Sequence, residues 1–263
     1  MKHILTLILC FAGFQAANLE KESAFQEGEW FKFEMSYSGF LKAGNATLSV
    51  NETNLEGKPV YHVVGKGWTT GAIKWFFKVK DRYESYFDKA TGAPYKFIRK
   101  IDEGGHTKDI EITFDHQNNI AEVNNKKHKE TKKVTTEQDV QDMVSMYYYL
   151  RNKIDISDLK EGDEIETNMF FDEENYGFKL KYLGKETIEV EVNGSEVKVK
   201  TIKFRPYVMA GRVFKEEESL TLWVSADKNK IPLKVKADLA VGSLRADLVE
   251  FKGLKHSFKI EFD

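Results

Sequence analysis

Asp81, Arg82 and Glu84 place two carboxylates and a guanidinium within four positions, a set of groups that acid–base chemistry uses. Side chains alternate faces along an extended strand. Asp81 therefore shares a face with Val79 and Tyr83, while Arg82 and Glu84 share the other. On that geometry Arg82 and Glu84 form a solvated pair, and Asp81 bonds a neighbouring strand or lies near an edge. A site would need Asp81 buried against Arg99 or Arg205, because burying a lone carboxylate is costly. The other acidic clusters, Asp102-Glu103 and Asp172-Glu173-Glu174, fall in expected turns, where their role is solvation. A two-carboxylate glycosidase needs an acid facing a base across a cleft, and only residues from distant strands could supply it here.

The histidines His62, His106, His116, His128 and His256 show no HxH, HExxH or i,i+4 pairing, so neither a metal site nor a cofactor is expected. There is no GxSxG elbow and no phosphate loop. Gly65-Lys-Gly-Trp-Thr-Thr-Gly71 is glycine-rich but joins two strands and opens no helix, so it lacks an anion-binding helix terminus. It reads as a flexible loop whose tip could gate a cavity. Trp68, Ile73, Trp75 and Phe76, on or beside it, either pack on the sheet or line the mouth of an apolar pocket.

The elements that must position these groups follow a period of two. In Trp30–Tyr37, Phe31, Phe33, Met35 and Tyr37 alternate with Lys32, Glu34 and Ser36. Similar strands are expected over Val60–Lys66, Trp75–Phe87, Tyr95–Ile101, Lys108–Phe114, Ile120–Asn124, Glu164–Phe171, Phe178–Leu183, Thr187–Val192, Glu196–Phe204, Arg212–Val224, Leu233–Leu239 and Arg245–Lys252. Gly, Asn, Asp and Pro punctuate them, and Asn193-Gly194 is the favoured pair of a tight hairpin turn. The Lys-rich run Asn124–Lys133 reads as a solvated hairpin end. Two stretches echo each other. Tyr86–Phe97 and Trp223–Val235 each run aromatic, Asp-Lys, turn, proline, then apolar-Lys-apolar. Proline lacks a donor, so Pro94 and Pro232 should open strands of two ordinary hairpins.

One segment has helical spacing. Thr136–Asn152 sets Val140, Met143/Val144 and Tyr147 on one stripe, with Thr136 as a candidate cap and Arg151 and Lys153 in the last turn. Tyr148 and Tyr149 lie beside the stripe, with hydroxyls able to reach a ligand. The fold class expected is mostly β: a large curled antiparallel sheet, or a barrel-like meander, with one amphipathic helix. No linker divides it, so residues 18–263 form a single β-rich domain.

Residues 1–17 have the layout of a cleaved secretory leader, with Lys2, an apolar run from Ile4 to Phe14, and Ala16-Ala17. The run is too short to span a bilayer as a mature helix. Cys10 is the only cysteine, so the mature chain would have no disulfide, thiol nucleophile or thiolate ligand. Its stability must come from the core, and roughly 245 residues suffice for one. With 40 basic and 42 acidic residues interspersed, the chain carries no electrostatic footprint for nucleic acid.

Ordered blocks along the chain resemble the bacterial domain of unknown function 3108 family. They include Gly28-Glu-Trp-Phe-Lys-Phe-Glu-Met-Ser-Tyr37, Lys80-Asp-Arg-Tyr-Glu-Ser-Tyr-Phe-Asp88, Val140-Gln-Asp-Met-Val-Ser-Met-Tyr-Tyr-Tyr149, Gly211-Arg-Val-Phe214 and Val241-Gly-Ser-Leu-Arg-Ala-Asp-Leu248. The resemblance runs from about Glu27 to Gly253. It implies an exported bacterial protein, periplasmic or envelope-associated, and carries over no catalytic residue. The unit around Trp223 and Pro232 also looks like the strand-turn-strand units of half-barrel envelope lipoprotein carriers. By that analogy the expected function is non-enzymatic binding of a lipid or other apolar small molecule in a sheet cavity. The ligand-binding candidates are Trp68, Trp75, Tyr148, Trp223, Asp81, Arg99 and Arg205. The protein is expected to be a monomer, with an envelope protein as a further partner. An assembly factor and a polysaccharide hydrolase are the alternatives.

Overall fold

Period-two alternation becomes fourteen antiparallel strands of one sheet in the computed structural model, which describes residues 22–71, 73–207 and 220–261. The expected leader, Cys10 and Gly211–Phe214 lie outside the described residues, as does the first part of the strand expected over Arg212–Val224. The first eight strands are β1 (Trp30–Tyr37), β2 (Leu41–Leu55), β3 (Lys58–Thr69), β4 (Lys80–Asp88), β5 (Pro94–Glu103), β6 (His106–Asp115), β7 (Ile120–Asn125) and β8 (Glu130–Thr135). The other six are β9 (Glu164–Phe171), β10 (Glu174–Val192), β11 (Ser195–Tyr207), β12 (Leu220–Ser225), β13 (Pro232–Asp238) and β14 (Ser243–Lys252). Two helices, α1 (Ile73–Phe76) and α2 (Met143–Lys153), complete the fold.

Their spatial order runs β8 to β1, then β14 to β9, so two meanders meet where β1 pairs with β14. β8 and β9 are the edges, and the sheet is not closed by a ladder between them. It curls instead. Phe170 of β9 packs edge-on against Phe114 of β6, ring centroids 5.9 Å apart, in one buried cluster with Val63, Phe87 and Phe97. Asn175 ties β10 to the end of β8, its amide donating to the Thr135 carbonyl (2.8 Å) and its oxygen accepting from Glu137 N (3.0 Å). The β9 edge is covered by the segment before α2, where Gln141 bridges Met169 in parallel, while the β8 edge carries Lys132 and Lys133. Both are devices that keep an open sheet from pairing with another copy.

The two echoing stretches are separate hairpin turns that use the same chemistry. Asp88 Oδ1 accepts from Ala90 N and Thr91 N, and Asp227 Oδ1 from Asn229 N and Lys230 N. Pro94 and Pro232 then open β5 and β13. Asn193-Gly194 makes the expected tight turn, with φ of 51° and 75°.

Five local readings need correction. Gly65–Thr69 is no loop but the end of β3, paired on both sides, Gly65 with Leu48 and Tyr83 and Gly67 with Ala46 and Asp81. The helix begins at Met143 rather than after Thr136, because Asp142 is the better cap. Its carboxylate accepts from Val144 N (2.7 Å) and Ser145 N (2.8 Å), and Ser145 Oγ accepts from Asp142 N (3.0 Å). Residues 136–141 are drawn off to cover β9. The strand expected over Trp75–Phe87 starts only at Lys80. Ile73–Phe77 has no alternation to hold it extended, and Phe77 N closes a helical turn on Ile73 O (2.8 Å). Phe178–Leu183 and Thr187–Val192 are one strand, β10, with a register irregularity between Tyr182 and Lys185. The Lys-rich hairpin end contributes a strand of its own, β8, unpaired on its outer side and therefore free to be polar.

Candidate ligand-binding cavity

The curl encloses a cavity of about 1290 Å³ between α2 and the concave face of the sheet. α2 is buried on two sides. Val144 and Tyr148 pack into the cluster built on β3 to β7, while Met146, Tyr147, Leu150 and Ile154 face the cavity. The expected stripe of Val140, Met143, Val144 and Tyr147 is thus divided between core and cavity. Strand alternation supplies the facing walls: Phe178 and Leu180 from β10, Phe204 from β11, Leu222 and Val224 from β12. Met169 of β9 joins that wall, and Tyr83, Ile110 and Phe171 also line the cavity. No single stretch of sequence announces this lining. Its signal is the apolar half of each alternating strand, which is also how a solid core would read.

In an antiparallel meander the turns divide between two ends. The cavity opens at the end holding the β5–β6, β7–β8 and β9–β10 turns, where Phe77, Glu103, His106, Lys127, His128 and Glu173 line it. The β9–β10 turn is a latch across the open seam. Arg99 (β5) and Lys108 (β6) both bond Asp172, at 2.6 and 2.7 Å, and Lys132 (β8) reaches Glu173 at 2.8 Å. Burial pushes the Asp172 carboxyl up, but the Lys108 hydrogen bond and the two cationic charges outweigh it and hold the carboxyl below its ordinary range. Asp172 and Glu173 both adopt positive φ, 47° and 72°. A non-glycine residue reaches that conformation at a cost, which the ion pairs offset.

The cavity's far end is closed by Arg151 of α2, a buried cation with a full set of partners. It donates to both oxygens of Glu29 (2.6 and 2.8 Å), to Asn229 O (2.8 and 3.0 Å) and to Ala24 O (3.3 Å). The rings of Phe25, Phe31, Tyr147 and Tyr148 surround the guanidinium at 5.3–5.7 Å. Its charge is therefore satisfied within the protein, and the rest of the interior is mainly apolar, with Lys230 bonded to the Arg151 carbonyl (2.9 Å).

Of the seven candidate residues, Arg99 lines the cavity, beside the mouth and over the Phe171 ring at 4.7 Å. Asp81 lies next to it on the inner face of β4. Its Oδ1 accepts from Asp102 N (3.3 Å), and burial, with the negative charge of Glu103, pushes the carboxyl up to about 6. The ion pair to Arg99 expected of a site is not formed, since Arg99 bonds Asp172 instead. Tyr148 is buried among Phe25 and Phe87, on the opposite side of α2 from the cavity. Trp223 and Arg205 each alternate with cavity-lining neighbours, Leu222 and Val224 for one, Phe204 and Pro206 for the other. Trp223 stands on the convex face between Lys203 and Lys234, its indole N–H donating to Glu186. Trp68 and Trp75 lie on the exposed rim of the open end, and it is Phe77 that reaches the mouth. Arg82 and Glu84 do pair, at 2.6 Å, on the convex face, but Glu84 is buried rather than solvated, and His62 also bonds it at 2.7 Å. Among the described residues, no three His, Cys, Asp or Glu side chains converge as a metal site would require.

Asp81 gives a pH signature. An unfolded aspartate titrates near pH 3.9, so the folded state holds the extra proton between there and about pH 6. Stability from this group is full below pH 4, falls as pH rises to about 6, and is flat above. Asp81→Asn keeps an acceptor for Asp102 N and removes the titration. We expect it to exceed wild type by about 1 kcal/mol at pH 7.5, the figure being modest because the group is partly solvated. At pH 4 the two should unfold at similar urea concentrations. Equal differences at both pH values would disprove the assignment.

The fold has counterparts of known structure. A β-barrel-like protein of domain of unknown function DUF1849 from Brucella abortus is similar over 88% of this chain and 99% of its own, with 12% identity and a TM-score of 0.58. A DUF1089 family protein from Pseudomonas aeruginosa aligns over 74% of this chain and 89% of its own, with 8% identity and a TM-score of 0.37. A Bacteroides fragilis chain, described as inferred to be exported and of YmcC-like fold, aligns over 87% and 97%, with 9% identity and a TM-score of 0.34. No curated protein matches. The model of one family, described as protein of unknown function (DUF3108), matches residues 32–249, nearly the whole of the sheet, and the chain belongs to that family.

Proposed function

We propose that this is an exported envelope protein that binds a lipid or another apolar small molecule in its sheet cavity without transforming it. The observation that carries the reading is the cavity itself. At about 1290 Å³ it is larger than the roughly 300–1,000 Å³ of an ordinary small-molecule pocket. Aliphatic and aromatic side chains line its depth, and the cation at its end is already neutralised. Water gains few hydrogen bonds in such a space, whereas acyl chains or a comparable apolar body fill it favourably. Apart from Arg151, held by Glu29, and Lys230, bonded to the Arg151 carbonyl, the charged lining residues lie at the mouth, which suits an amphiphile whose polar end stays at the opening. The leader-like residues 1–17 support export to the periplasm or envelope. We read the protein as acting as a monomer, with an envelope protein as a further partner and no role with nucleic acid.

Native mass spectrometry of protein purified from envelopes, paired with solvent extraction, tests the proposal. The expected result is a lipid or similar apolar molecule at near one per chain. Protein that is repeatedly free of any such molecule would overturn it.

A further inference from the structure

The open end of the cavity carries apolar side chains that the cavity does not need. Trp75 and Phe76 of α1 are 87% and 89% exposed, Phe40 in the β1–β2 turn is 80% exposed, and Val241 in the β13–β14 turn 77%. The meander puts all three connections at the end where Phe77 lines the mouth. They are neighbours there. Thr70 N donates to Ala43 O (3.1 Å), Gly104 N to Lys78 O (2.8 Å), and the Tyr37 hydroxyl to Val241 O (2.8 Å). Such a row of aromatic and aliphatic tips, left in water, needs a partner.

The charge of the same end says which. From Gly65 to Lys80 the chain has Lys66, Lys74, Lys78 and Lys80 and no acidic residue. Lys74, Lys78 and Lys80 have no ion-pair partner among the described residues. The β7–β8 turn adds the basic run Lys126-Lys-His-Lys129. Of the acids at this end, Asp172 and Glu173 are already paired with Arg99, Lys108 and Lys132, while Asp102, Glu103 and Glu174 lie at the β5–β6 and β9–β10 turns, away from the lysines of the α1 connection in sequence. Lys126 is tied to Glu111, but Trp75 and Phe76 set among Lys74, Lys78 and Lys80 suit the boundary of an anionic bilayer, where rings sit at headgroup depth and lysines meet phosphates. We infer that this rim docks the open end of the cavity on a membrane containing anionic phospholipid, so that a ligand passes between bilayer and cavity without crossing water. The inference rests on the reading of the cavity as a lipid site and adds the surface from which it is loaded.

Flotation of the purified full chain with vesicles tests it, using phosphatidylcholine alone and phosphatidylcholine with phosphatidylglycerol. Wild type is expected to float with the anionic vesicles and to be released by salt. Trp75→Ser/Phe76→Ser should reduce flotation by about ten-fold, since apolar area and basic charge act together at an interface. Both side chains are exposed and neither lines the cavity, so the variant should fold and hold as much bound lipid as wild type when loaded from detergent micelles. Wild type remaining in solution with both vesicle types would overturn the inference and leave the rim to a protein partner. So would a double variant that floats like wild type. The two readings fail separately: an empty cavity by mass spectrometry removes the lipid site, whatever the flotation result.

Discussion

Arg151→Ala is expected to lower the stability of the fold by about 3–5 kcal/mol, the usual cost of removing one partner of a buried ion pair. The Glu29 side chain is wholly inaccessible and that of Arg151 is 3% exposed, so the carboxylate left behind could not be solvated without opening the structure. The loss is larger than a missing contact. Arg151 also supplies hydrogen bonds to Asn229 O and Ala24 O, and buried carbonyls left without donors cost about 1–3 kcal/mol each. Glu29 and Ala24 lie before β1 and Asn229 in the β12–β13 turn, so one guanidinium on α2 clamps the helix to the central seam of the sheet. Glu29→Leu/Arg151→Met should recover part of the loss, because it buries no unpaired charge. Urea denaturation compares the three proteins. A single variant within about 1 kcal/mol of wild type, the range of a surface pair, would show that the buried pair does not clamp the fold.

Leu222→Trp is expected to empty the cavity of its ligand while leaving the sheet intact. Leu222 lies on the concave face of β12, half-buried, with its side chain bordering the open volume. Enlarging a residue in a solid core costs typically 1–3 kcal/mol because nothing can move aside. Here the indole extends into free space, so the unfolding midpoint should change little while bound lipid falls by about ten-fold or more, a difference of about 1.4 kcal/mol or greater. Trp223→Phe is the matched control one residue away. Its ring faces outward between Lys203 and Lys234, so ligand content should be that of wild type. If both variants carry as much lipid as wild type, the ligand lies elsewhere and the cavity reading falls.

The contrast between residues 222 and 223 shows where sequence reading ran out. Alternation says that Leu222 and Trp223 face opposite ways, but not which way is inward. Trp223 is the candidate in sequence because it belongs to the strand-turn-strand unit that looks like those of the half-barrel carriers. Tertiary structure reversed the choice: both sides of β12 are partly covered, the convex side by lysine stems and the concave side by the cavity. Tyr148 fails for a related reason. Both faces of α2 are apolar because one packs on the sheet and the other borders the cavity, so no helical stripe separates core from site.

Local chemistry determined a good deal on its own. Period-two patterning specifies strands, Asp-led turns and Pro94 and Pro232 mark where they reverse and restart, and Asn193-Gly194 closes a hairpin, since each depends on residues within a few positions. Those features specify a single large antiparallel sheet with one substantial helix. Which end opens, which face is concave, and that Arg99 joins Asp172 rather than Asp81 depend on pairs more than 70 residues apart. Such pairs come together only when the sheet curls and β1 meets β14. A hollow interior and a solid one require the same alternating residues, and only the packing of α2 against the curl decided that this one is hollow.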